Sequence, residues 1–156
     1  MASRPNQDVV PLRVVVRDPV PGVVLRLQSG RSDLVGPSSV SDAVVVFDFA
    51  VRVTLSEADG PVGFFGPFTQ GPPRERFVYV NAGRHAGQAD SCWDRRAKIP
   101  LTGIRPALVR RVLTVPGSVL EVTIAGRGRD GGPVCASVKL PPDAWQVRPP
   151  SSRDHT

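Results

Sequence analysis

The stretch VVFDFAVRVTL, residues 45–55, decides the expected fold of this chain. Its apolar side chains recur at every second position. Because successive side chains of a β-strand point to opposite faces, this pattern predicts a long strand with one face against a core. The predicted core face comprises Val45, Phe47, Phe49, Val51, Val53 and Leu55, and the opposite face carries Asp48, Arg52 and Thr54.

The same alternation recurs along the chain. Strands with one inward face are predicted at 12–17, 23–27, 118–126 and 134–140, and shorter β-rich runs lie at 62–65, 77–81 and 95–101. The predicted inward residues of the four longer strands are Leu12, Val14, Val16, Val23, Leu25, Leu27, Leu120, Val122, Ile124, Val134, Ala136, Val138 and Leu140. The short connections favour antiparallel pairing, since parallel strands need long crossovers.

One segment has helical rather than strand periodicity. Its side chains Ile104, Leu108, Val112 and Val115 would share one side of a helix, with Thr102 as the cap, Pro106 in the first turn and Pro116-Gly117 as the stop. The chain is therefore predicted to be all-β: an antiparallel barrel or sandwich of about eight strands with one short packed helix.

Length and composition predict a single domain. The chain has 156 residues with 40% hydrophobic and 22% charged content, which suits one globular core. Residues 11–148 are predicted to form this β-rich domain, and 1–10 and 149–156 are predicted to be disordered. With neither a membrane-spanning apolar stretch nor a signal-peptide pattern in this sequence, we expect a cytoplasmic protein without a membrane partner.

Charge and metal-ligand content exclude several functions. The net charge is +6, but aromatic content is only 6% and the arginines are dispersed, which disfavours nucleic acid as a partner. Two cysteines and two histidines lack the spacing of familiar metal sites, so no metal or cofactor is predicted. The run GRGRDG (126–131) matches G-x-G-x-x-G, but its Asp130-Gly131 predicts a hairpin turn rather than the helix that a dinucleotide site requires.

The run HAGQADSCWDRR, residues 85–96, concentrates the reactive side chains. A nucleophile needs a base within hydrogen-bond reach, and Cys92 or Ser91 with His85 and Asp90 supplies the required residue types. The candidate catalytic residues are therefore His85, Asp90 and Cys92. In a second interpretation this run is only a polar connection, with Trp93 plugging one end of the core.

A third interpretation is a binding pocket for a polar or anionic small molecule, rimmed by residues 66–71 and 84–96. Such pockets combine apolar walls with a few converging polar groups. Arginine would supply the charge, glutamine the directional hydrogen bonds and tryptophan the apolar contact. The candidate ligand-binding residues are Gln70, Tyr79, Gln88, Trp93, Arg95 and Arg96.

We take noncovalent binding of a small molecule as the leading functional prediction. The first alternative is a cofactor-free isomerase, cyclase or hydrolase that uses His85 and Asp90 as acid–base groups. The second alternative is a protein-interaction module, which would need an exposed apolar patch. The sequence decides neither whether the protein is an enzyme nor its oligomeric state.

Four runs also carry a resemblance: GPFTQGPP (66–73), RFVYV (76–80), AGQADSCWDRRAKIPLTGI (86–104) and GRDGGPVCA (128–136). With them, the chain resembles an uncharacterised family of small bacterial proteins, a domain of unknown function. The resemblance implies a shared fold in which 66–104 and 128–136 form one unit, and it implies no activity or cofactor. Because Cys92 and Cys135 both lie in these runs, we hypothesise that they are neighbours.

Overall fold

The computed structural model describes most of the chain. The described residues are 7–29, 33–55, 62–65, 77–83, 95–101, 104–128, 131–132, 136–137, 139–141 and 143–150. They contain eleven strands and one helix: β1 (Gln7–Arg17), β2 (Val24–Ser29), β3 (Asp33–Val35), β4 (Ser39–Val40), β5 (Val44–Leu55), β6 (Val62–Phe65), β7 (Phe77–Gly83), β8 (Arg95–Pro100), α1 (Pro106–Thr114), β9 (Val119–Ala125), β10 (Ala136–Ser137) and β11 (Gln146–Arg148). The protein is thus mostly β. The described strands exceed the predicted number because four of them have only two or three residues.

The strands form two sheets. The first sheet has the order β11-β9-β1-β5-β4, with β6 also paired to β5, and the second has the order β10-β8-β7-β2-β3. Within the described residues no hydrogen-bonded strand pair joins the sheets, so they do not close into the barrel that was one predicted alternative. One buried cluster contains side chains of both sheets, which gives a sandwich-like arrangement around a shared core.

The long central strands confirm the alternation read from the sequence. On β5, Asp48 and Arg52 are exposed, and on β1 the inward side chains are fully buried. The confirmed inward residues of β1, β5 and β9 are Leu12, Val14, Val16, Val45, Phe47, Phe49, Val51, Val53, Leu120, Val122 and Ile124. Each fully buried aliphatic or aromatic side chain stabilises the fold by about 1.5–3 kcal/mol through its removal from water. This face of β5 and β1 is therefore the main source of stability.

Helix α1 packs on the first sheet, against β1, β9 and β11. It begins at Pro106, where the missing amide hydrogen costs nothing, and its buried side chains are Val109 and Val112. The N-cap is Arg105, whose side chain makes no capping hydrogen bond, so the predicted cap at Thr102 is wrong. Val115 lies just beyond the helix and is 39% exposed, so it does not share the buried face as predicted.

Two strand pairings differ from the predicted antiparallel arrangement. Strand β1 pairs antiparallel with β5 but parallel with β9, and β10 pairs parallel with β8. The described residues beside Asp130 are joined by hydrogen bonds from the amide of Gly131 to the carbonyl of Gly128 (3.1 Å) and from the amide of Gly128 to the carbonyl of Gly132 (2.8 Å). The strands on either side of these residues, β9 and β10, belong to different sheets. The predicted hairpin is therefore wrong.

The first glycine of GRGRDG has a packing role. The amide of Gly126 donates to the carbonyl of Arg17 (2.7 Å), and an added Cβ would lie 2.9 Å from that oxygen and from the Cα of Pro19. Only glycine allows this close approach of backbone to backbone. Gly126 thus allows the backbone after β9 to pack against the end of β1.

The chain ends also differ from the prediction. Strand β1 begins at Gln7, and Val10 is fully buried, so residues 7–10 belong to the first sheet rather than to a disordered segment. Near the other end, Trp145 is 4% exposed and belongs to the core, which the sequence pattern did not predict. Among the described residues, no helix has the length and apolar character needed to cross a membrane.

Candidate functional site

The alternation of buried and half-buried side chains breaks at the end of β7. Phe77 and Tyr79 are half-buried on the outer face of the second sheet, while Val78 and Val80 are buried in the core. From there on, Asn81, Ala82 and Gly83 are all buried, so both faces of the sheet are covered at this end. In a two-layer fold only the inner face needs to be buried. The outer face at the end of β7 is therefore a sheltered surface.

A pair of amide side chains lies on this sheltered surface. The Nδ2 group of Asn81 donates a hydrogen bond to Oε1 of Gln28 on β2. Asn81 is 4% exposed and Gln28 is 9% exposed, and no described residue donates to the Oδ1 atom of Asn81. Turning the Asn81 amide by 180° would leave its Nδ2 group in that position instead. One buried polar atom of Asn81 thus lacks a partner within the described protein in either orientation.

An unpartnered polar atom in the interior is costly. Removing a hydrogen-bonding group from water without compensation costs about 1–3 kcal/mol, and native proteins pair nearly all such groups. The Oδ1 atom of Asn81 is a strong acceptor with two lone pairs. It is therefore suited to accept a hydrogen bond from a bound molecule.

Aromatic and charged side chains continue the outer face beside the amides. The rings of Phe77 and Tyr79 meet edge to face with centroids 5.2 Å apart, and Nζ of Lys98 lies 4.0 Å from the Phe77 ring centroid. In the strand register Tyr79 stands between Gln28 on β2 and Lys98 on β8. Of the predicted ligand-binding residues, Tyr79 is thus brought next to the amide pair.

The end of β7 is also where the predicted pocket rim begins. Ala82 pairs with Arg95 and Asn81 pairs with Arg96 in the β7–β8 register. The backbone of these two predicted ligand-binding arginines therefore runs beside the amide site. The structure describes their backbone but not their side chains. Residues 84–94 join the end of β7 to the start of β8, so this rim segment starts and finishes next to Asn81.

The second predicted rim segment, residues 66–71, precedes β7 in the chain rather than following it. Residues 66–71 belong to the connection from β6 to the start of β7 at Phe77. Gly83 lies six residues after that start, which amounts to about 20 Å at 3.3 Å per residue. Bringing 66–71 to the Asn81 end would require this connection to run back along the strand. The shared rim therefore stays a prediction.

The remaining predicted site residues lie outside the described part of the chain. These are the catalytic candidates His85, Asp90 and Cys92 and the ligand-binding candidates Gln70, Gln88 and Trp93, together with Cys135. Their roles, including the proximity of the two cysteines, stay predictions. Among the described residues, no group of three or more His, Cys, Asp or Glu side chains could hold a metal ion.

Sequence reasoning missed Gln28 and Asn81. Each is a single polar residue that continues the outer face of an alternating strand, which is typical of a solvated side chain. They meet only because β2 and β7 are neighbours, and 53 positions separate them along the chain. The available signal was the pair of neutral amides itself, one at the end of each of two predicted strands.

Comparison with known proteins identifies the family to which the chain belongs. No curated protein and no solved structure matches the chain. A family model does match it over residues 10–148, which includes β1, both sheets, α1 and the amide site. This match confirms the resemblance to a domain of unknown function. The chain belongs to the family described as a family of unknown function, DUF5990.

Proposed function

We propose that this protein binds a small polar molecule noncovalently at the outer face of its second sheet, beside the end of β7. The observation that carries the proposal is the Oδ1 atom of Asn81, which is buried and has no donor among the described residues. A ligand N–H or O–H group that donates to this atom would remove the cost of its burial. Recognition of a hydrogen-bond donor is thus the central element of the proposed site.

Neighbouring residues support a ligand that is also anionic. Arg26 lies opposite Asn81 on β2, and the backbone of Arg96 lies opposite it on β8. Guanidinium groups favour carboxylates and phosphates, which they can bind with two parallel hydrogen bonds. The predicted roles of Trp93 as an apolar wall and of Gln70 and Gln88 as polar contacts complete the proposal. The best-fitting class is a small hydroxy or amino acid.

Native mass spectrometry tests this proposal directly. Gently purified protein is compared before and after denaturation, with the Asn81→Leu variant, which keeps the branched side chain with the same number of non-hydrogen atoms and removes its polar groups. The matched control is Ser118→Ala. Ser118 is another buried polar residue, but its hydroxyl already donates to the carbonyl of Val115 at 2.6 Å or of Val112 at 3.1 Å. We expect a bound mass in wild type and in the control, and none in Asn81→Leu.

A bound mass that persists in Asn81→Leu would overturn the assignment of the site. If wild type carries no bound mass, thermal unfolding with millimolar glycolate, malate, serine and glutamate becomes the deciding measurement. A ligand present at a hundred times its Kd stabilises the folded state by about 2.7 kcal/mol. No stabilisation by any of these compounds would reject the proposed class.

A further inference from the structure

A second surface feature lies on the first sheet, whereas the amide site lies on the second. A groove of about 290 Å³ runs between α1 and the edge strand β11. Arg105, Leu108 and Arg111 line it from the helix side, and Asp143 and Trp145 line it from the side of β11. Arg105, Leu108 and Arg111 are spaced three positions apart, so they share one face of the helix and form one continuous wall of the groove.

The two arginines of this wall are not engaged elsewhere. Arg105 and Arg111 are exposed, and neither forms an ion pair or side-chain hydrogen bond with a described residue. Their Cα atoms are separated by about 9 Å along the helix axis, from six residues at 1.5 Å each. Half-buried Leu108 lies between them. The helix wall therefore presents two cations on either side of an apolar patch.

The start of α1 adds to the positive potential at Arg105. The first turn contains no acidic residue, and no side chain caps it. The N-terminal end of a helix carries a partial positive charge, which an anion stabilises. With two arginines and one aspartate, the groove has a net charge of +1 from its lining side chains.

The opposite wall is lined by Trp145. Trp145 is 4% exposed, and its Nε1 atom has almost no accessible surface, so this residue contributes its ring rather than its N–H group to the groove. The donors that the groove exposes are the guanidinium groups of Arg105 and Arg111, which form no ion pair with a described residue. Anions are the strongest acceptors for such donors.

We propose that this groove binds a small organic acid whose carboxylate or phosphate group pairs with Arg105 or Arg111 and whose apolar part lies on Leu108 and Trp145. Its volume is close to the lower limit for ligand pockets, which restricts the occupant to a compact molecule. Asp143 favours an acid that also carries a hydroxyl or amino donor. This site does not depend on the amide site of the second sheet.

The indole N–H resonance of Trp145 provides the test. ¹⁵N-labelled protein is titrated with benzoate, phenyl phosphate and inorganic phosphate, and the Trp93→Phe variant identifies which of the two indole signals belongs to Trp145. We expect the Trp145 signal to shift and saturate with at least one aromatic acid. Removal of the arginine that pairs with the acid, in Arg105→Ala or in Arg111→Ala, should weaken that binding about tenfold, which is the loss of one charged hydrogen bond. Unchanged binding in both variants would overturn the proposal.

The matched control is Arg17→Ala, which removes an exposed arginine of β1 outside the groove. An unshifted Trp145 signal with all three compounds would overturn the proposal, and so would equal weakening by Arg17→Ala, which indicates unspecific attraction to the basic protein. Asn81→Leu should bind these acids as wild type does. Failure of the amide site and failure of this groove are therefore distinguishable.

Discussion

The outer faces of the two sheets carry different kinds of polar side chain. On the first sheet the outward side chains form a ladder of charges across β5, β1, β9 and β11. Arg13 Nε lies 2.7 Å from Asp48 Oδ1, Arg13 Nη1 lies 3.7 Å from Glu121 Oε2, and Arg148 Nε lies 3.0 Å from Glu121 Oε1. On the second sheet the outward side chains of Asn81 on β7 and Gln28 on β2 are neutral amides, and they are buried.

The difference follows from the cost of removing charge from water. The side chains of Arg13 and Asp48 are 36% and 42% exposed, so water still solvates the ladder. A neutral amide is much less costly to bury than an ion, provided that it is hydrogen-bonded. Only one of the two polar atoms of Asn81 meets this condition within the described protein. The first outer face is thus an ordinary solvated surface, and the second is sheltered and incompletely satisfied.

The largest expected effect comes from the core that both sheets share. Phe47→Ala should destabilise the protein by about 3–5 kcal/mol, because Phe47 is fully buried and its removal leaves a cavity. Chemical denaturation in a Trp93→Phe background, followed by Trp145 fluorescence and by amide exchange on β7, should give one common midpoint. Separate midpoints for the two probes would show that the sheets unfold independently.

The second-largest loss of stability is expected from substitutions in the hydrogen-bonded pair of Gln28 and Asn81. Asn81→Leu should cost about 1–3 kcal/mol, because it removes the hydrogen bond that Asn81 donates to Oε1 of Gln28. Replacing both partners, in Gln28→Leu with Asn81→Leu, should recover part of that stability, since the second substitution removes the Oε1 atom that lost this bond. Urea denaturation of the single and double variants measures this recovery. A double variant that is stable but binds no ligand would assign the pair to binding rather than to folding.

Glu121 should be the most sensitive position of the charge ladder. Its side chain is only 15% exposed, and it faces both Arg13 and Arg148. Glu121→Gln should destabilise the fold by about 1 kcal/mol, near the upper limit for a surface ion pair. Denaturation midpoints of this variant and of wild type give the value. A loss larger than that measured for Asn81→Leu would contradict the contrast between the two faces.

Asp48→Asn should have the smallest effect. Asp48 accepts from Arg13 and from the hydroxyl of Ser38 (2.7 Å), but its side chain is well exposed. We expect a loss of about 0.2–1 kcal/mol at low salt, because water and counterions screen the pair. Thermal unfolding at 0.02 M and at 1 M NaCl checks this prediction, with Asn81→Leu as the salt-insensitive comparison. An effect that does not diminish with salt would mean that Asp48 is shielded from solvent.

The parts of the fold that the sequence predicted rest on local periodicity. The inward faces of β1, β5 and β9 and the position of α1 between Pro106 and Pro116 were predicted correctly, because each depends on neighbours within one element. The predicted site residues stay predictions. The structure places Tyr79 beside the amide pair, while most other candidates fall outside the described residues. Gln28 and Asn81 were not predicted, because strand pairing rather than local pattern brings them together.

By itself the sequence determined that this chain is mostly β with one helix, and which faces of its central strands are buried, since side-chain alternation and proline positions act over a few residues. Only the tertiary structure decided that β1 pairs parallel with β9, that β9 and β10 belong to different sheets, and that the outer face of β7 is sheltered. These features join segments tens of residues apart. They depend on how the whole chain shares one core, and no local pattern encodes that.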